Sequence, residues 1–138
     1  MPRNEDTILS PIEITIPLAP VTKKNSQQIL TNRATGRPFV APSSQYKTYE
    51  RQCLWHLRVH KQKPPIDTPV NVKCTFYLPT RRKTDLTNLL EAVDDILVKA
   101  EVLADDNYTI VTAHDGSRCR YDKENPRTEI LITELKDE

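Results

Sequence analysis

The stretch VNVKCTFYLPTRRKTDLTNLLEAVDDILVKAEVLADD, residues 70–106, decides the fold. Its first nine residues, 70–78, are rich in branched and aromatic side chains with partial alternation, which predicts a central strand. From about Thr87 or Asn88 to Ala100, apolar residues recur at spacings of three and four, the period of an amphipathic helix. The stretch therefore predicts a buried strand followed by a helix that packs on the sheet.

The predicted helix has two distinct faces. Its buried stripe consists of Leu89, Val93, Ile96, Leu97 and Ala100. Its polar face consists of Asn88, Glu91, Asp95 and Lys99. A helix with an acidic polar face offers carboxylates to solvent or to a ligand.

The flanking sequence supplies further elements. These are a strand at 12–16, a hairpin of 28–31 and 38–40 around a glycine-containing turn, a helix from Ser43 or Ser44 to about Gln62, and strands at 108–111 and 128–133. The order predicts the α+β class, a single small domain with a mixed β-sheet and two main helices packed on it. We expect one domain over 1–138, with 1–10 flexible.

Composition limits the function classes. The chain of 138 residues is 37% hydrophobic and 28% charged, which favours a folded domain. No apolar run approaches the ~20 residues that cross a bilayer, and the N-terminus has no signal-peptide pattern. Three widely spaced cysteines form no disulfide framework. These features predict a cytoplasmic protein without a membrane partner.

The net charge of +1 hides a segregation along the chain. Residues 23–63 contain nine Lys and Arg residues against the single acid Glu50. Residues 85–106 contain seven acidic residues against the single base Lys99. The first region could hold a polyanion, while the second could hold a cation.

Carboxylates flank both ends of the second predicted helix. Asp85 precedes it, and Asp105 and Asp106 follow it. A helix of thirteen residues is about 20 Å long, so Asp85 and Asp106 meet only if the chain after the helix folds back. Two or three converging carboxylates suit Mg²⁺ in a phosphodiesterase, whereas separate ones are ordinary exposed charges.

The segment from Arg81 to Asp106 resembles the signature of the RusA family of Holliday-junction resolvases. That signature is a basic run, Asp-x-Asp-Asn-Leu, an amphipathic helix with a further aspartate, then a hydrophobic turn and Asp-Asp. The resemblance implies a homodimeric endodeoxyribonuclease that uses Mg²⁺, with Mn²⁺ as a possible substitute. It implies cleavage of four-way junctions in DNA recombination and repair, in bacteria or their phages and prophages.

The resemblance also implies roles for particular residues. The catalytic and metal-binding group would be Asp85, Asp105 and Asp106, to which we add Glu91 as a hypothesis of our own. The group that binds DNA phosphates would be Lys23, Lys24, Arg81, Arg82 and Lys83. The group that supports the metal ligands would be Asn88 and Asp95.

Two positions depart from the family pattern. Thr87 replaces the second motif aspartate, and Glu91 replaces an essential helical lysine of the best-known member. We expect Glu91 to supply the missing carboxylate and Thr87 to cap the helix. Either Lys83 or Lys99 would then take over the role of the lost lysine in stabilising charge, or junction cleavage would be weak.

Two alternatives remain at the level of sequence. The first is a degenerate junction-binding or nucleic-acid-binding module without catalysis. The second is an interaction domain whose charged regions are solvated faces. His114 and Asp115 form a further candidate proton pair.

Overall fold

The computed structural model describes residues 9–23 and 27–135. The strands are β1 (Ile12–Ile16), β2 (Gln27–Thr31), β3 (Pro38–Pro42), β4 (Val70–Leu78), β5 (Val111–Ala113), β6 (Arg118–Tyr121) and β7 (Arg127–Glu134). The helices are α1 (Ser44–Leu57), which continues into a short 3-10 helix (Arg58–His60), and α2 (Leu86–Lys99). The predicted flexible segment 1–10 falls mostly outside these residues.

A mixed five-stranded sheet organises the molecule around β4. Strands follow the order β1-β7-β4-β5, with β6 also pairing with β4. The β1–β7 and β7–β4 pairs are antiparallel, whereas β5 and β6 both run parallel to β4. The predicted α+β class, the mixed sheet and the central position of β4 are confirmed.

One face of this sheet is buried. Along β4 alternate side chains point to the core, and the buried ones are Val70, Val72, Cys74 and Phe76. They join one apolar cluster with side chains of both helices, including Tyr46 and Leu97. Period-two burial on the strand and period-3.6 burial on α2 match the two predicted patterns.

The first helix begins and ends for local reasons. The Ser43 hydroxyl accepts a hydrogen bond from the Tyr46 N–H at 3.2 Å and caps α1. The α-helix ends at Leu57, earlier than the predicted Gln62, because the last turn tightens into the 3-10 helix. The β2–β3 hairpin forms as predicted, and Gly36 in its turn adopts a φ of 70°.

Two sequence expectations are wrong, and one element was missed. Thr87 does not cap α2, because the helix begins at Leu86 and Asp85 occupies the cap position. Tyr108 is not a strand residue: it is 81% exposed, and β5 starts only at Val111. Strand β6 was not predicted, because its short and polar sequence is held by backbone pairing with β4 rather than by apolar side chains.

No helix in the part of the chain that the structure describes is both long and apolar enough to traverse a lipid bilayer.

Candidate active site

Helix α2 carries the acidic face of the site. Asp85, with extended backbone, precedes its first turn. The Asn88 side-chain amide donates to the Asp85 carboxylate at 3.3 Å. Leu89 and Val93 are buried on the opposite side, which turns the Asn88 face outward. The first turn of α2 is therefore tied to the aspartate that leads into it.

After α2 the chain reverses direction. Glu101 adopts a φ of 60°, and the Val102 N–H bonds back to the Leu97 carbonyl at 3.0 Å. The next residues pair with Ile66, whose carbonyl accepts from the Ala104 N–H at 2.8 Å. This anchored reversal positions the connection that contains Asp105 and Asp106.

The reversal places Asp106 in a cleft of about 130 Å³ beside α2. The residues that line this acidic cleft are Lys23, Asn88, Glu91, Ala92, Asp95 and Asp106. Asp106 therefore lines one cleft with residues 88–95 of α2, which begin in its first turn, rather than lying apart at the far end of the helix. Asp85 and Asp105 do not line the acidic cleft, although Asp85 contacts Asn88.

The two consecutive aspartates of the connection have different surroundings. Asp105 accepts hydrogen bonds from the Asp106 N–H at 2.7 Å and from the Asn107 amide at 3.0 Å, and these donors lower its pKa. Partial desolvation and the neighbouring Asp105 raise the pKa of Asp106. Asp105 thus holds the turn, while Asp106 offers a carboxylate to the cleft.

Asp95 is held by cations. Its carboxylate lies 2.7 Å from the Lys23 amine and 3.5 Å from the Lys99 amine. Burial opposes ionisation of Asp95, but the hydrogen bond and charge of Lys23, reinforced by Lys99, outweigh it and lower the pKa of Asp95. The Lys99 amine also contacts Glu50 at 2.9 Å.

The donor set of the acidic cleft fits a hard cation. Mg²⁺ takes one or two carboxylates and keeps several waters or substrate oxygens. Glu91 and Asp106 supply two such carboxylates, and Asn88 supplies an amide oxygen beside them. Across 9–23 and 27–135, no three Asp, Glu, His or Cys side chains lie close enough together to bind one ion.

A basic groove adjoins the acidic cleft, because consecutive residues Thr22 and Lys23 line one each. The groove has a volume of about 520 Å³ and includes Arg82 and Lys83 among its lining residues. The Arg81 guanidinium stacks on the Tyr121 ring at 4.2 Å from its centroid. Lys24, expected to bind phosphate, lies outside the described residues.

The partner of His114 differs from the sequence expectation. Its Nε2 lies 2.9 Å from the Asp94 carboxylate and its Nδ1 lies 2.7 Å from the Val72 carbonyl, so the proposed pairing with Asp115 is wrong. We call these three residues the histidine contact. No local pattern indicates it, because Asp94 and His114 are twenty residues apart and meet only through sheet pairing.

Carboxylates beside a groove with Arg82 and Lys83, on an α+β scaffold, are residues that could hold a cation and a polyanion. The family model of endodeoxyribonuclease RusA matches residues 11–133. A crossover junction endodeoxyribonuclease RusA from Aquifex aeolicus (strain VF5) is 32% identical over 96 residues, which cover 70% of this chain and 72% of that protein. The chain belongs to the endodeoxyribonuclease RusA family, and the predicted enzyme class is confirmed.

Proposed function

We propose that the chain is a Mg²⁺-dependent crossover junction endodeoxyribonuclease, which resolves four-way DNA junctions in recombination and repair. The observation that carries the proposal is the meeting of Glu91 and Asp106 in one cleft beside the basic groove. Membership of the family and the printed activity of the Aquifex relative support the choice of substrate.

In this proposal Glu91 and Asp106 would hold the cation, while Asp85, which does not line the acidic cleft, is hydrogen-bonded to Asn88, which does. When bound, the ion activates a water and neutralises charge on the phosphate. Asp105 positions Asp106 through its contact with the Asp106 N–H. Asp85 completes the set if its carboxylate turns from Asn88 toward the ion when DNA binds.

The basic groove gives the DNA a path. Arg82 and Lys83 would contact phosphates that flank the scissile bond, a sequence-independent role that makes affinity fall steeply with salt. Arg81, already stacked on Tyr121, would add a contact at the same end of β4. A C₂ homodimer would set two acidic clefts against two equivalent strands of a junction. The proposed place of action is the bacterial cytoplasm, for a bacterial or phage-encoded enzyme.

The test uses one labelled four-way junction and a linear duplex of the same arm sequence, each with and without Mg²⁺. We expect paired cuts in the junction only, and only with Mg²⁺. Binding to the junction without any metal-dependent product would favour the non-catalytic module instead. Equal, weak binding to both DNAs would contradict both nucleic-acid proposals.

Single variants identify the carboxylates involved. Glu91→Gln and Asp106→Asn should each lower the single-turnover cleavage rate by about 100-fold or more, because the cation that stabilises charge on the phosphate would be held less tightly. Junction affinity should be unchanged or higher, since a negative charge is removed without loss of a phosphate contact. Glu13→Gln, on the exposed side of β1, is the matched control and should cleave like the parent.

Asp85→Asn tests the fourth expected carboxylate in the same assay. A loss as large as that of Glu91→Gln would assign Asp85 to the ion. A rate within about threefold of the parent would leave Asp85 as the residue that orients Asn88. Parent-like cleavage by both Glu91→Gln and Asp106→Asn would refute the site.

A further inference from the structure

Lys23 occupies a different place from the other basic residues of the site. Its amine lines the acidic cleft together with Glu91 and Asp106. It is the single Lys or Arg among the described residues that line this cleft. Arg82 and Lys83 instead line the basic groove, where flanking phosphates would lie. Lys23 is therefore close to the carboxylates that would surround the reacting phosphate.

The surroundings of Lys23 fix its position. Thr22, directly before it, is buried, and the Lys23 amine lies 5.7 Å from the centroid of the Tyr46 ring. The Tyr46 ring is fully buried and provides a rigid platform. Asp95 accepts from the Lys23 amine at 2.7 Å on the other side. The lysine is thus held in the acidic cleft, although its side chain remains 39% exposed.

Asp95, the partner of Lys23, has a second cationic neighbour. Asp95 also lies 3.5 Å from the Lys99 amine, so one cation stays near Asp95 if Lys23 turns away. An exposed ion pair contributes at most about 1 kcal/mol, so a phosphate can compete with Asp95 for the Lys23 amine. Among the described residues that line the acidic cleft, a phosphate would otherwise meet three carboxylates, the Asn88 amide and Ala92.

We propose that Lys23 is a catalytic residue, whose ammonium group contacts a non-bridging oxygen of the scissile phosphate. This inference rests on the proposed function and revises the sequence interpretation, which placed Lys23 among the flanking phosphate contacts. It also assigns the role of stabilising charge on the phosphate to Lys23, in the segment that follows β1, rather than to Lys83 or Lys99.

The step that Lys23 assists is hydrolysis. A water oxygen forms a bond to phosphorus, and the bond from phosphorus to one ester oxygen breaks. The water gives a proton to solvent, and the leaving oxygen takes one from solvent. Lys23 stays protonated throughout and stabilises the charge that grows on the non-bridging oxygen.

The experiment separates binding from chemistry. Junction affinity is measured with Ca²⁺ in place of Mg²⁺, and the single-turnover rate is measured with Mg²⁺ at saturating enzyme. Lys23→Met should lower the rate by about 100-fold or more and change the Kd by less than about threefold. Lys23→Arg should retain more of the rate than Lys23→Met. Lys99→Met removes the other cation of Asp95 and should stay within about threefold of the parent.

A double variant excludes a purely structural role. If Lys23 only neutralised Asp95, Lys23→Met combined with Asp95→Asn would regain the parent rate, and the inference would be overturned. We expect the double variant to remain as slow as Lys23→Met. Thermal melting of each variant within a few degrees of the parent checks that the fold is kept.

Each remaining outcome tests either the role of Lys23 or the proposed function. A weaker Kd with an unchanged saturating rate would make Lys23 a flanking contact and overturn the inference. A parent that binds the junction without cutting it would overturn the proposed function and this inference together. A parent that cuts, with Lys23→Met equally fast, would overturn this inference alone.

Discussion

The acidic cleft and the histidine contact are built by consecutive aspartates of one helix, yet they have opposite properties. Asp95 faces the acidic cleft, with a side chain 35% exposed and two lysine amines around it. Asp94 faces β4 and β5, with a side chain 14% exposed and the His114 ring against it. A rotation of about 100° along the helix separates a solvated ion pair from a largely buried one.

The difference shows which ion pair can be exchanged for a substrate. An exposed ion pair contributes little free energy, so the Lys23 amine can exchange Asp95 for a phosphate while it stays in the acidic cleft. A largely buried pair is costly to open, because the charge left behind has lost its water. The acidic cleft is therefore suited to binding, whereas the histidine contact holds α2 on the sheet.

The geometry of the histidine contact also sets its charge. The Val72 carbonyl and the Asp94 carboxylate are both acceptors, so the protonated ring of His114, in which both nitrogens donate, satisfies both contacts. The hydrogen bond to Asp94 is the main cause that raises the pKa of His114 above its usual value, against the opposing effect of burial.

The largest expected effect on stability comes from a change in the core beneath α2, the helix that carries both regions. Leu97 on α2 is fully buried in the apolar cluster. Leu97→Ala should lower the free energy of unfolding by about 2–5 kcal/mol, because it leaves a cavity under the helix. Urea denaturation measures the loss. Leu90→Ala, at a half-buried position of α2, should cost clearly less, and equal losses would contradict the packing described here.

A change confined to the histidine contact should lower stability in a pH-dependent way. His114→Gln should cost about 1–3 kcal/mol at pH 5.5–6, because Asp94 loses a charged donor. A raised folded-state pKa gives stability that is complete below the unfolded value near 6.5 and disappears as pH rises through the folded value. The difference between parent and variant should therefore shrink from about pH 6.5 upward.

Urea denaturation at several pH values provides this measurement, with His60→Gln on the 3-10 helix as the matched control. A difference that grew with pH would show that His114 is neutral in the folded protein. The cleavage rate of His114→Gln at a pH where the variant is folded should change less than that of Glu91→Gln. A comparable loss would show that the two regions are not separate.

The smallest effect is expected at the rim of the acidic cleft. Lys99 contacts Glu50 and Asp95 with a side chain 44% exposed. Lys99→Met should change the free energy of unfolding by less than about 1 kcal/mol, and the change should diminish with added salt. A larger and salt-independent loss would show that Lys99 is structural.

Much of the fold could be predicted because it depends on local patterns. The period of two along β4 and the spacing of three and four along α2 each select a buried face without reference to the rest of the chain. Strand β7 follows the same rule. Strand β6 and the turn at 108–110 could not be predicted this way, because backbone pairing with β4 and the hydrogen bonds of Asn107 decide them.

The sequence by itself determined the acidic face of α2, the neighbouring basic residues and the family resemblance. Only the tertiary structure decided that Asp106 returns beside Asn88, that Asp85 and Asp105 stay at the margin, and that Lys23 enters the acidic cleft. The physical reason is that the side chains that come together around the cleft depend on where the chain reverses after α2. That reversal is fixed by backbone hydrogen bonds between residues far apart in sequence, at Ile66 and Ala104.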